Sequence, residues 1–495
     1  MKGFWRERGR FLVVIVLLAA LGLAGWSGMG QKSFVRTMLS GLTLGALYFM
    51  VAAGLTLIFG LMDVLNFAHG AMFMVGAYAG WQFYTNPTFL FGLAPLILAL
   101  LTGLTATPLL QPVVVNWPIP ERWQRGLRTA LFLAALAVGV IGVARLDVLG
   151  LAETAMVASM VAANPLTEAT PQEPLATFGI RPALLLVAGL LAALAQARPG
   201  DATQFVRRGA AWRHRAVAGA LLALTVGAAL AREAGPLAVL QMDANWRFLL
   251  ALVAGTLIGG GLGVAVEVSL VRPLYVRSQF LVLATLGLAF VLTELTQVLW
   301  DPLAYQMSRP PLFSQPGKAE SILAWFSQHT TTVNILGVTF PSYRLFIIVL
   351  GALMLLALGA LMNYSRLGMI IRAGVQDSEM VKALGINVRR VFTLVFALGA
   401  GLAALGGIGA APFIPVEPVM GDRFLMQGFI TVVIGGMGSY GGAAAGALLL
   451  GLARAFGDFL ALKFSLSPAI SEASTVIIMA VVLLVRPAGL FGKEE

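Results

Sequence analysis

Residues 363–391 read NYSRLGMIIRAGVQDSEMVKALGINVRRV. This short, charged, helix-competent stretch lies between two long apolar runs, 344–362 and 391–411. Each run is close to the roughly 20 helical residues that cover the hydrocarbon core of a bilayer. The connection therefore lies on one side of a membrane. Its basic residues, Arg366, Arg372, Lys382, Arg389 and Arg390, outnumber the acidic Asp377 and Glu379. That bias marks a cytoplasmic loop. So much polar chemistry in so short a connection points to a surface on which something docks.

The rest of the chain fits this frame. It has 495 residues, of which 59% are hydrophobic and 11% charged; soluble domains carry about 25% charged residues. So much apolar surface has lipid as its natural solvent. The formal charge of +11 is spread over many short loops, so positive-inside topology accounts for it and nucleic acid is not implied. The chain has no cysteine, which excludes disulfides, thiol catalysis and cysteine metal sites. Residues 11–28 follow Lys2, Arg6, Arg8 and Arg10. That run exceeds the roughly 7–15 residues of a signal-peptide core and reads as an uncleaved first transmembrane helix.

Further apolar helices are expected at 38–60, 67–85, 89–110, 128–148, 182–197, 215–232, 247–270, 280–300, 344–362 and 391–411, then at 424–437, 441–457 and 473–486. The fold expected is an all-α polytopic integral-membrane helical bundle of about 12–14 hydrophobic segments. Segment 424–437 is too short to cross alone and reads as a re-entrant half-helix. With the N-terminus inside, the loops 111–127, 198–214, 271–279 and 363–390 fall inside with their arginines. Loop 150–180, with Glu153, Glu168 and Glu173 and no Lys or Arg, falls outside. Lys32 and Arg36 are a mild exception. The outer connection 301–343 contains Pro302, Pro310, Pro311, Pro316 and Pro341, which argues against a continuous helix, and Trp325 and Phe326 suit a membrane interface.

Three groups of residues carry candidate chemistry, each with a plainer alternative. Asn66-Phe67-Ala68-His69-Gly70 follows Asp63 where a helix restarts at the inner face. Either Asp63 or Asn66 caps that helix, or Asn66 and His69 belong to a transport path. Gly255, Gly259 and Gly263 share one helical face, as do Gly438, Gly442 and Gly446, and suit close helix packing. The denser run 435–442, with Gly435, Gly436 and Gly438, either breaks a helix to offer backbone groups to a solute or makes a tight turn. Glu294, well inside 280–300, reads as a carboxyl facing the bundle interior or as part of the path; Glu267 lies close to Arg272 and reads as its partner. No second His or carboxylate stands at metal-ligand spacing, so no metal site is expected, nor any cofactor. No phosphate-binding loop G-x-x-x-x-G-K-[ST] and no nucleophile elbow are present. If ATP is used, another chain holds it, and this chain is not itself an enzyme.

The motifs in order are Leu42-Thr43-Leu44-Gly45, Asn66 to Gly70, Arg272-Pro273, Tyr364-Ser365-Arg366-Leu367-Gly368, Arg372 to Arg390 with Leu384-Gly385-Ile386-Asn387, Gly435 to Ser439, and Arg486-Pro487-Ala488-Gly489-Leu490. In this order the chain resembles the membrane permease subunit of branched-chain amino acid ABC importers, the LivH type, over about 38–87 and 247–492. The resemblance implies that Arg372, Asp377, Met380, Ala383, Leu384, Gly385, Ile386, Asn387 and Arg390 form the cytoplasmic element that seats on an ATPase. It also implies that Met380, Ala383 and Leu384 are buried while basic residues face the partner. Implied partners are two ATPase subunits, a second homologous permease subunit, a periplasmic substrate-binding protein, an amino-acid or small amide solute, and the lipid bilayer. The implied place is the bacterial inner membrane, with N-terminus and coupling segment cytoplasmic. The domain reading is an extra helix in 1–37, permease core in 38–87 and 247–495, and between them an inserted helical block, 88–246, adding four net crossings. Urea or short-amide permeases, and an ion-coupled secondary transporter, remain as alternatives; a channel or a membrane enzyme fits less well.

Overall fold

A computed structural model describes residues 29–62, 65–115, 121–144, 146–160, 178–197, 208–275, 277–376 and 378–492. The expected helix at 11–28, Asp63 and Asp377 lie outside the described residues. The chain runs through α1 (Gln31–Met62), α2 (His69–Thr85), α3 (Thr88–Thr105), α4 (Thr107–Val115), α5 (Glu121–Val143), α6 (Val148–Met160), α7 (Ile180–Gln196), α8 (Arg208–Gln241) and α9 (Ala244–Val266). A π-helical turn, Glu267–Val271, and a last short turn, Arg272–Leu274, lead from α9 to α10 (Ser278–Trp300). The connection that follows holds β1 (Gln315–Ala319), α11 (Ile322–Gln328), β2 (Thr330–Ile335) and β3 (Val338–Pro341). Then come α12 (Ser342–Tyr364), α13 (Arg366–Gln376), α14 (Ser378–Ala383), α15 (Val388–Ala410), α16 (Met420–Gly435), α17 (Tyr440–Lys463) and α18 (Ala469–Val485).

Among the described residues, nine helices are long and apolar enough to cross a membrane. The chain is a multi-pass, helical membrane protein. It divides into two compact units, one of Met1–Trp81 with Ala244–Glu495 and one of Gln82–Asp243.

In the first unit α1 packs along α15, α16 and α17, and α9 lies along α15. The helix α2 is buried over almost its whole length, with Met72, Phe73, Met74, Tyr78 and Trp81 in the core. The glycine face of α9 explains its approach to α15. A Cβ built on Gly263 would stand 2.6 Å from the Cβ of Ala400, too close without movement. Small residues replace the missing hydrophobic drive between helices in lipid by letting backbones touch. The proline-rich connection contains a small sheet that the sequence reading did not foresee. Strand β2 pairs parallel with β1 and antiparallel with β3. The β-branched run Thr330–Val333 suits it, and Leu336 and Gly337, both at positive φ, make the two-residue turn between β2 and β3. Trp325 is half-buried: it stacks on Phe313 at 5.4 Å and donates to the Thr330 carbonyl.

In the second unit α7 packs on α3 and α5, and α8 on α3. Leu96, Ala99, Phe178 and Leu185 form its core. A stretch read as the loop 150–180 is helical at its start, and the helix expected at 215–232 runs on beyond its expected end. The first turns of 150–180 belong to α6, and 233–241 continues α8 through Pro236. Both stretches are rich in Ala and Leu, whose helix propensity carries them past isolated Glu and Pro residues.

Candidate functional site

The segment 363–391 is built from two short helices set between two spanning ones. Ser365 caps α13, its hydroxyl accepting from the Gly368 amide at 3.0 Å. The Arg372 guanidinium donates to the Met362 carbonyl, a cation placed on the open C-terminal end of α12. α14 ends at Gly385, whose φ of +78° is left-handed and has no Cβ penalty. The Asn387 side chain then accepts from the Arg390 amide and caps α15. The motif Leu384-Gly385-Ile386-Asn387 is thus a helix stop followed by a helix start.

Burial along this segment corrects one expectation. Met380 is 56% exposed, Leu384 is 72% exposed, and Ala383 is exposed too. Val381 and Ile371 are the residues turned into the protein. In helices this short, one residue of register decides which face is covered. Tyr364 and Met369 are also exposed, so an apolar patch sits among Arg366, Arg372, Arg389 and Arg390. Exposed apolar side chains in company with basic ones make this corner a candidate protein interface.

Behind the corner lies a cavity of about 550 Å³. One wall is Met362, Ile371 and Arg372; the others are Thr56, Leu57 and Gly60 of α1, then Met437 to Tyr440, and Ala488, Phe491 and Gly492. Thr56 is buried, and its hydroxyl has no hydrogen-bond partner. The glycine run is a tight turn between α16 and α17, with Gly436 and Gly438 at φ of +94° and +80°. Ser439 caps α17 by accepting from Gly442. The segment after α18 folds back on this turn: Leu490 donates to the Ile434 carbonyl at 2.8 Å and Phe491 to that of Gly435 at 2.9 Å. The structure therefore brings Gly438 of one predicted cluster and Arg372 of the other onto one cavity.

Asn66, His69 and Glu294 do not line it. The Asn66 side chain accepts from the Ala68 amide and so turns the chain into α2. His69 is fully buried, with Nε2 3.2 Å from the Val51 carbonyl and Nδ1 without a partner. Its ring fills the space over Gly54, where a Cβ would stand 2.7 Å from it. Glu294 is exposed on α10 beside Val291, Leu295 and Val298. It does not face the bundle interior, because Leu292 and Thr296 hold that side.

A second polar centre was only half legible. Glu267, fully buried in the π-helical turn, takes Arg272 on both oxygens, at 3.1 and 2.7 Å. It also accepts from Tyr275 at 2.8 Å and from Thr393 of α15 at 2.8 Å. Arg272 in turn donates to Thr393 at 2.7 Å. Burial and the bond to Glu267 push the Tyr275 hydroxyl well above its ordinary pKa. Thr393 escaped the sequence reading because it stands 126 positions from Glu267, and Tyr275, eight positions away, because it carries no charge to mark it as a partner.

The model of a family described as "Branched-chain amino acid transport system / permease component" matches residues 37–114 and 216–486. The chain belongs to this permease family. LivH, the high-affinity branched-chain amino acid transport system permease protein of Escherichia coli K12, is 38% identical over 144 residues, 29% of this chain and 45% of LivH. BraD of Pseudomonas aeruginosa, of the same description, is 33% identical over 161 residues, 32% of this chain and 50% of BraD. A probable LivH of Methanocaldococcus jannaschii is 26% identical over 145 residues, 29% of this chain and 46% of its own. The chain spans about half the length of the curated relatives it matches. No solved structure matches it.

Proposed function

We propose that this permease-family chain is a membrane-spanning subunit of a binding-protein-dependent ABC importer for branched-chain or related amino acids. The observation that carries the reading is the shared cavity: the corner bearing the exposed apolar and basic surface is also one wall of a solute-sized space. Two ATPase subunits would seat on Met380, Leu384 and their basic neighbours. A second, homologous permease subunit would complete the path, and a periplasmic binding protein would deliver the solute at the outer connection. The orientation follows the arginines: coupling segment and N-terminus cytoplasmic, in a bacterial inner membrane. The residues of 88–246 act as an appended helical block.

Reconstitution of the complex in proteoliposomes tests this. The expected result is uptake of a branched-chain amino acid that needs both ATP and loaded binding protein. Uptake driven by an ion gradient without ATP would overturn it in favour of a secondary transporter; uptake of urea or a short amide alone would move the solute class.

A further inference from the structure

The cavity behind the corner is electrically one-sided. Of the described residues that line it, Arg372 alone is charged, and no carboxylate is among them. Its guanidinium carries five N–H donors, and among the described residues Nη1 gives one to the Met362 carbonyl. The 24-residue α17 begins on the same wall. Ser439 takes the amides of Gly442 and Ala443 on its side chain and its carbonyl. The amides of Tyr440 and Gly441 are then first-turn donors with no partner inside the helix, at the positive end of its dipole. Arg372 is bonded to Met362 and the Tyr440 hydroxyl to the next residue, Asn363, so guanidinium and helix start meet adjacent residues of α12. The Tyr440 hydroxyl accepts that bond and keeps its own hydrogen to give. Thr56, 3% exposed, lines the cavity too, and its hydroxyl has no hydrogen-bond partner among the described residues. The other side chains on the walls are apolar, Leu57, Ile371, Met437 and Phe491 among them. At about 550 Å³ the space falls within the roughly 300–1,000 Å³ of small-molecule sites.

We propose that this cavity binds a small carboxylate with a branched apolar tail, the carboxylate at Arg372 and the start of α17, the tail against Leu57, Ile371 and Met437. This rests on the importer reading and deepens it by naming the chemical group that the cavity reads. A planar guanidinium holds two carboxylate oxygens at once, and helix-start amides add donors that favour the same charge. An ammonium group has three donors and no acceptor; it finds no carboxylate on these walls and is repelled by Arg372. The carboxylate, not the ammonium, is therefore what binding requires, and the α-keto acid of leucine binds as well as leucine. An uncharged short amide gains nothing from Arg372. An anionic lipid headgroup offers the same negative charge from another source, and the test separates the two.

The test uses the purified full-length chain with Met437→Cys, at an exposed position on the cavity wall, and reads how far a solute slows maleimide labelling. Leu323→Cys, on the outer connection, is the control. Isovalerate, leucine and the α-keto acid of leucine are expected to slow labelling of Met437→Cys and not of Leu323→Cys. Isovaleramide, the same skeleton with an uncharged amide, is expected to need about ten times the concentration, the weight of one charge-assisted contact. Adding Arg372→Gln should close that gap between acid and amide, and Arg372→Lys should keep most of it. A loosened corner alone would change labelling without solute but not the acid-to-amide ratio. Equal protection by isovalerate and isovaleramide would overturn the proposal even if Arg372→Gln failed to fold. A gap that survives Arg372→Gln would overturn it as well. So would protection by phosphatidylglycerol or inorganic phosphate with none by the carboxylates, or no protection at all. The importer reading fails separately: carboxylate protection here, with no ATP-dependent uptake by the complete complex, would overturn that reading and leave the cavity site standing.

Discussion

Replacing Glu267 with Gln should loosen the junction between the start of α15 and the α9–α10 elbow. The wild-type carboxylate holds four donors on two oxygens: Arg272 twice, Tyr275 and Thr393. An amide keeps one oxygen and turns an NH₂ group toward one Arg272 N–H and one hydroxyl, so that Arg272 contact and the negative charge are lost and the hydroxyl must turn from donor to acceptor. Breaking a buried ion pair costs roughly 3–5 kcal/mol. The Arg272 side chain is 33% exposed and keeps water on its free side, which places the cost at the low end, about 3 kcal/mol. Thr393→Val removes one donor and one acceptor at about 1–2 kcal/mol. Residues in one network do not add, so the double variant should fall short of the sum by about 1 kcal/mol. Hydrogen exchange of the purified protein reads this locally. A cost of about 3 kcal/mol that opens the junction speeds exchange about a hundredfold in the first turns of α15 and in 272–275, with the middle of α17 unchanged. Wild-type exchange at the start of α15 in Glu267→Gln, or strictly additive effects, would refute the clamp.

At Gly385 the left-handed φ combines with open space, no atom standing within 4 Å of a built Cβ. Gly385→Val should thus act through backbone strain of about 1–2 kcal/mol, lowering uptake per ATP hydrolysed, while Gly385→Asn, which tolerates that φ, stays near wild type; equal ratios in both variants would count against the coupling role. Because the chain has no cysteine, Met437→Cys at the cavity and Leu323→Cys on the outer connection, both exposed, offer clean labelling sites. An impermeant maleimide should reach Met437→Cys only from the cytoplasmic side and Leu323→Cys only from the other; the reverse pattern would invert the topology. Gly263→Leu should overpack the α9–α15 contact by about 1–3 kcal/mol and reduce the yield of folded protein, whereas Gly261→Leu, with nothing within 4 Å, should not.

How much of this was legible depends on the length scale of each signal. The spanning helices could be read because an apolar run of bilayer length has little use outside lipid, and the Glu267–Arg272 pair because the two stand five positions apart. The Ser365, Gly385 and Asn387 positions were visible as motif letters, and the structure converts them into a cap, a stop and a cap. The reading of Met380 and Leu384 as buried went wrong because six residues of α14 give too few turns for a periodic pattern. The small sheet was hidden in a connection where prolines spoke only against a helix. The cavity was the least legible feature, since its walls come from α1, the α12–α13 corner, the glycine turn and the tail after α18, and only tertiary packing brings these together.

The hydrogen bonds also sort the walls of the cavity into two groups. On one side, Arg372 ties the corner to the end of α12, and Thr393 ties the start of α15 to the elbow at Glu267. On the importer reading, a force applied to the exposed corner would reach α12 through Arg372 and the α9–α10 elbow through Thr393. On the other side, the glycine turn and the tail are stitched to each other by backbone bonds at Ile434 and Gly435. Across the gap, the Asn363 amide donates to the Tyr440 hydroxyl at 3.1 Å, an exposed bond between two side chains. The facing walls otherwise present side chains such as Ile371, Met362 and Phe491. These slide at little cost compared with breaking backbone hydrogen bonds. On the importer reading, a push by an ATPase would thus change the width of this space before it disturbed either wall, and Glu267 would set how much of that push reaches the rest of the membrane domain.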